Sequence, residues 1–109
     1  MRIFFGIIVF LSMAGCTGNS NTLLKECDQG IGEACNKLGQ ELQDNDMKKA
    51  EQYYKKACDL SNTNGCVRYA ELIKIKNFEE ARRVLRYSCD RGNSTACVKF
   101  AELLQGTQK

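Results

Sequence analysis

The chain contains no proline and no histidine in its 109 residues. No stretch alternates apolar and polar residues in the way a half-buried strand does. With strand patterning and the strongest helix breaker both missing, the expected fold class is all-α. The lack of histidine removes the ligand that zinc usually shares with closely spaced cysteines, so no metal and no cofactor are expected. No basic stripe is present either. The formal net charge is +3, and lysine and arginine are interspersed with Asp and Glu, which excludes nucleic acid as an expected partner. Charged runs such as Asp46, Lys48, Lys49, Glu51, Lys55 and Lys56 fit a solvated helix face. The single long apolar run, residues 3–13, has about 11 residues. A bilayer-spanning helix needs about 20.

What the chain does have is cysteine, seven in all. Six fall into three pairs: Cys27 and Cys35, Cys58 and Cys66, Cys89 and Cys97. Seven residues separate the members of each pair, and successive pairs start 31 residues apart. A fixed period of this length marks a repeat architecture. One helix running through both members would hold them roughly 12 Å apart, whereas a disulfide needs Cα atoms within about 7 Å. A bonded pair therefore requires the chain to turn back. Gly30, Gly32 and Gly92 suit the left-handed residue that ends a helix, with Asn62 in that role in the middle copy. Asn93 or Ser94 can open the next helix as N-cap. Six cysteines allow many connectivities, and the threefold recurrence favours the local one. Each closed loop would add about 2.5 kcal/mol in the chain-entropy model. That is a sufficient structural role in a domain whose core is small.

The seventh cysteine stands at the end of the apolar run. Met1-Arg2, the run at 3–13 and Met13-Ala14-Gly15-Cys16 together form a secretory signal with a lipobox-like end. The reading is a signal peptide over 1–15, lipid on Cys16, and a small polar tether over 16–22. Export agrees with disulfide usage, since disulfides persist in oxidising compartments. A lipid would hold the domain at a membrane without a spanning helix. By resemblance to enteric lipoproteins, Thr17 in place of Asp after the cysteine implies the outer membrane, facing the periplasm. Loss of Arg2 leaves the mature chain at +2.

The repeat domain is expected over 23–105, followed by a tail at 106–109. Each repeat carries two helical stripes. The first is Cys35, Leu38, Gly39 and Leu42, then Cys66, Tyr69, Ala70 and Ile73, then Cys97, Phe100, Ala101 and Leu104, all at i, i+3, i+4, i+7 spacing. The place held by Gly39, Ala70 and Ala101 is always small, which lets a neighbouring helix come close. The second stripe is Met47, Ala50, Tyr54, Ala57 and Cys58, copied as Phe78, Ala81, Leu85, Ser88 and Cys89. Asp46 and Asn77 are the expected N-caps of these second helices, with Glu80 at the reciprocal place of a capping box. Residues 23–27 supply a second-helix stub, and no second helix follows the last first helix. An apolar face near Phe100 and Leu104 is thus expected at the end of the array, a candidate surface for self-association.

Two strings carry a family resemblance. They are Gly32-Glu33-Ala34-Cys35-Asn36-Lys37-Leu38-Gly39 and Asp46-Met47-Lys48-Lys49-Ala50-Glu51-Gln52-Tyr53-Tyr54-Lys55-Lys56-Ala57-Cys58-Asp59-Leu60. The chain resembles the Sel1-like repeat proteins, relatives of the tetratricopeptide repeats, and among them the cysteine-rich Helicobacter and Campylobacter type with one disulfide per repeat. The loop between the two helices is shorter here than is common in that family. The resemblance implies a right-handed solenoid of antiparallel helix pairs, about two and a half disulfide-stapled repeats, binding a protein or peptide on a concave face lined by first helices. The places that match this lining include Asn36, Gln40, Asn64, Val67, Glu71, Val98 and Glu102. Val67 and Val98 stand in equivalent places and are expected as an exposed apolar contact strip.

The same cysteine-rich family often carries penicillin-binding or β-lactamase labels. The residues argue against hydrolysis. Ser61, Ser88 and Ser94 all lack a lysine three places on, as a serine β-lactamase requires. A thiol nucleophile would have to be free, while six of the cysteines are expected to pair. Asp28, Asp59 and Asp90 recur at helix ends, a structural place. The resemblance therefore points to a binding protein: an envelope-anchored adaptor or scaffold, or alternatively an immunity lipoprotein that neutralises one toxin.

Overall fold

The computed structural model describes residues 20–106. These form six α-helices: α1 (Ser20–Asp28), α2 (Gly32–Leu42), α3 (Met47–Asp59), α4 (Thr63–Ile73), α5 (Phe78–Asp90) and α6 (Ser94–Gly106). No strand occurs among the described residues. The predicted signal segment, Cys16, the first part of the tether and residues 107–109 lie outside them. The tether expected over 16–22 gives way to helix at Ser20, whose hydroxyl donates to Glu41 Oε1 at 2.8 Å. A single turn would be an unstable helix in isolation. The longer stub buries Leu23 and Cys27 against α2.

Each helix packs on the next in sequence, and α2 also meets α4 as α4 meets α6. The first helices of the repeats thus form a continuous row. The core is two clusters. One gathers Leu23, Cys27, Ala34, Cys35, Leu38 and Ala57. The larger is built around Tyr54, Tyr69, Ile73, Val84 and Leu85, and Leu42 packs against both. The always-small place explains part of this fit. A Cβ on Gly39 would stand 2.6 Å from Tyr54 Cε1, so the tyrosine ring lies directly against the glycine backbone. One repeat on, the pair becomes Ala70 and Leu85, a larger residue facing a smaller one. Met47, expected in the second stripe, is 50% exposed, because the first residue of α3 has no neighbour over it.

The three corners follow one plan. Disulfides join Cys27 to Cys35, Cys58 to Cys66 and Cys89 to Cys97, with Cα atoms 4.7, 4.4 and 4.6 Å apart. At each corner one residue takes positive φ: Gly30 (95°), Ser61 (68°) and Gly92 (97°). The next N–H reaches five residues back, Ile31 to Glu26, Asn62 to Ala57 and Asn93 to Ser88, at 3.1, 2.9 and 3.1 Å. This is a Schellman closure. Two expectations change. Asn62 is extended, not left-handed; Ser61 occupies the equivalent of Gly30 and Gly92, and Asn62 is the N-cap. Gly32 instead opens α2, where a Cβ would come 3.0 Å from Asn62 Cβ.

Caps also tie corner to corner. Asn62 Oδ1 accepts from Gly65 N at 2.7 Å, and its amide donates to Glu33 Oε1 at 3.3 Å on the preceding first helix. Asn93 repeats the arrangement, accepting from Ala96 N at 3.0 Å and donating to Asn64 Oδ1 and Thr63 Oγ1, both at 3.0 Å. Asp46 and Asn77 cap α3 and α5 by accepting from Lys49 N and Glu80 N, each at 3.1 Å. The reciprocal half of the capping box is not made. Asn77 N donates to Ile73 O at 2.7 Å, and Glu80 turns to Arg83 Nη2 at 2.6 Å.

The final helix has the exposed face expected of it. Within α6 only Ala96 is fully buried. Phe100 is half-buried against the core, Ala101 is exposed, and Leu104 is 37% exposed, because no second helix packs on α6 among the described residues.

Candidate partner-binding groove

The row of first helices carries a groove of about 580 Å³. Helix α2 contributes Asn36, Gln40 and Gln43, α4 contributes Asn64, Val67, Arg68 and Glu71, and α6 contributes Thr95 and Lys99. Five of the seven expected binding residues come together here: Asn36, Gln40, Asn64, Val67 and Glu71.

The expected Val67 and Val98 strip is not formed. Val67 is only 8% exposed and belongs to the core cluster, a floor residue and not a contact knob. Val98 is 55% exposed and lies outside the groove. Glu102 lines an adjoining notch instead. Thr95 and Lys99 of α6 line the groove at the places that Asn64 and Arg68 hold in α4, whereas no described helix lies beyond α6 to cover Val98 as α6 covers Val67.

The lining is polar and carries two cations, Arg68 and Lys99, against one carboxylate, Glu71. With the Gln40 amide turned so that its oxygen faces the guanidinium, it accepts from Arg68 Nε at 3.0 Å and Nη2 at 3.2 Å. Glu71 faces Lys74 at 3.3 Å and Lys99 at 3.9 Å. Such exposed pairs are worth little in stability but set the sign of the field a partner meets. Arg68 and Lys99 were missed by the sequence reading. Their register is cationic in every copy, Lys37, Arg68 and Lys99, which is the signal that would have found them. Asn64 is partly committed, since its Oδ1 accepts from Asn93.

Asn36 is the odd residue at the floor. It is 4% exposed, and its Oδ1 has no hydrogen-bond partner among the described residues. Buried polar atoms are nearly always paired. The next copies of this place are Val67 and Val98, so a polar atom here is not required by the repeat.

Below the groove, fully buried Tyr54 donates from its hydroxyl to Gln43 Oε1 at 2.5 Å. Burial raises its pKa above the ordinary 10.0, opposed by the Arg68 guanidinium and assisted by Asp44. Tyr69 is raised as well, first by burial and then by Glu80. The sulfurs of the six repeat cysteines are bonded. They therefore offer no thiolate. No group of side chains among the described residues is arranged to hold a metal ion.

No family model and no curated protein matches the chain. Among solved structures it is similar to Helicobacter pylori cysteine rich protein B, with a TM-score of 0.67 and 28% identity, covering 72% of this chain. The chain spans 66% of that protein's length. Stapled corners, paired helices and this likeness agree: the chain is similar in fold to the cysteine-rich, disulfide-stapled helical repeat proteins.

Proposed function

We propose that the protein is an envelope-tethered interaction module that holds an extended segment of a partner protein in the groove along α2, α4 and α6. The observation that carries this reading is Asn36. A buried acceptor without a partner, at the floor of a groove, suits a ligand that brings its own donor, and the main-chain N–H of an extended peptide is the commonest such donor. The flanking amides of Gln40 and Gln43, with Arg68 and Lys99, offer further donors to its carbonyls. Selectivity would come from side chains, because main-chain bonding alone does not read sequence.

The tether belongs to the same proposal. With six cysteines joined in pairs, Cys16 is the one left over, and it follows Met13-Ala14-Gly15. Lipid on Cys16 would keep the groove beside a bacterial membrane, with the outer membrane on its periplasmic face favoured by Thr17. Labelling with a fatty-acid analogue checks this: Cys16→Ser should lose the label and leave the membrane fraction.

The groove itself is tested by placing a photo-crosslinking residue at Gln40 and identifying the captured segment. Asn36→Val, which copies the next repeat, should reduce capture about tenfold or more, as expected when a buried donor on the partner loses its acceptor. The fold should not suffer, since Val67 already occupies the equivalent place. Unchanged capture by the variant would remove Asn36 and the main-chain mode from the proposal. A single partner held very tightly would point to neutralisation of that partner over a general adaptor role.

A further inference from the structure

The stripe that α4 buries is open on α6. Cys66, Val67, Ala70 and Ile73 are all buried, where α5 and α6 pack on α4. One period on, Val98, Ala101 and Leu104 are exposed and Cys97 is only half-buried. Among the described helices, α6 packs mainly on α4 and α5, and neither covers this side. The result is an apolar strip along about two turns of helix, a surface of the kind that marks an association site.

The other end of the array is finished differently, and that difference selects the occupant. Tyr53 and Ala57 of α3 face back onto the cluster around α2. Their copies on α5 are Val84 and Ser88, both buried. Their copies on α1 are Thr22 and Glu26. The backward side of α1 is therefore polar. Stacking α1 of a second copy on α6 would bring the Glu26 carboxylate into an apolar face, at a place that holds only alanine or serine in the other two helices. This disfavours head-to-tail growth into an open array and leaves the closed, two-fold alternative. The α6 face does suit itself. Lys99 and Glu102 are the only charged side chains of α6, one of each sign, and they stand 4.0 Å apart, so two copies meet without net repulsion. Ala101, between Val98 and Leu104, lets two helix axes come close, as Gly39 lets the Tyr54 ring onto α2.

We propose that this face of α6 binds the same face of a second copy of the chain, as an antiparallel helix pair with its two-fold axis at Ala101. Val98 of one copy then lies beside Leu104 of the other, a smaller side chain against a larger one at each end. The antiparallel sense also sets the two helix dipoles in opposition. One helix pair buries less than the roughly 1,200 Å² of a standard interface, so the dimer is reversible and depends on concentration. The pairing stands whether or not the groove holds a partner. Thr95 and Lys99 put α6 at the end of the groove, so a dimer brings the ends of two grooves together.

The test uses the purified, oxidised full chain in mild detergent, mixed from equal parts of ordinary and isotopically heavy protein, with a photo-crosslinking residue at Gln105 beside the strip. Irradiation should give a species of twice the chain's mass, in which light peptides are joined to heavy ones and position 105 is joined to the stretch around Val98. The yield should rise with protein concentration. Ala101→Arg and Val98→Glu both change exposed positions, so the helical circular dichroism should be kept, while each should cut the yield about tenfold or more. Absence of a crosslinked pair up to about 1 mM protein overturns the proposal, since the face would then be left to another protein. A yield that neither variant moves overturns it as well, because another segment would be driving association. Links from position 105 to α1 of the second copy would mean head-to-tail stacking, and links from 105 to 105 a parallel pair, and either overturns it too.

Discussion

Single residues account for where this repeat departs from its own consensus. Ser61 takes φ 68° at the corner where the other two copies place glycine. A side chain in the left-handed region costs about 1 kcal/mol or more, partly offset by the entropy a glycine loses on folding. Ser61→Gly should therefore raise stability by roughly 0.5 kcal/mol, and Gly92→Ala should lower it by about 1 kcal/mol, both measurable by urea denaturation at unchanged m-value. Tyr54 and Tyr69 make a prediction about pH. Their folded pKa values lie above the 10.0 of the unfolded chain, because burial disfavours the phenolate. Their contribution to stability is complete below pH 10 and is lost as pH rises through the folded values. Thermal melts should accordingly fall off in the alkaline range beyond about pH 10. Tyr54→Phe with Tyr69→Phe should flatten that fall, at the expense of the Gln43 hydrogen bond, about 1 kcal/mol at neutral pH.

At the scale of elements, the corner is the unit that recurs. A Schellman closure ends one helix and a disulfide joins it to the next at all three corners, and an Asx cap opens the next helix at the second and third, where the first has Ile31. The Asn caps do more than cap, because their amides also donate to the preceding first helix. Asn93→Ala should thus cost more than an isolated cap, toward about 2 kcal/mol, and loosen α6 first. Amide hydrogen exchange would show it as faster exchange in α6, with α2 and α3 unchanged. Removing one staple as Cys58→Ala with Cys66→Ala should cost about 2–3 kcal/mol. Chemical denaturation against the oxidised protein checks the size, and a loss below about 1 kcal/mol would mean the caps and core already hold the corner. The exposure of Val98 belongs to this scale too: it holds the place of Val67, but α6 is the last described helix and no described element packs over it.

For the molecule as a whole, the period of 31 and the positions of six cysteines were enough to give helices, corners and their order. Periodicity and loop closure act locally, and sequence records local physics directly: a residue pattern at i, i+3, i+4, i+7 has one helical solution. The same reading located the row of first helices, and five of its seven binding places lie in one groove. It could not tell floor from rim. Whether Val67 is a contact knob or a core residue depends on how closely α2, α4 and α6 approach, which is a property of packing between repeats. Nor could it foresee Asn36 as a buried acceptor without a donor, or the Tyr54 ring set against the Gly39 backbone. Those follow from volumes that meet across helices, Gly39 with Tyr54 and Ala70 with Leu85, residues about half a repeat apart in sequence and adjacent in space. Sequence by itself determined the all-α stapled repeat. Only the tertiary structure decided which side chains face a partner, because exposure is set by neighbours that no local pattern names.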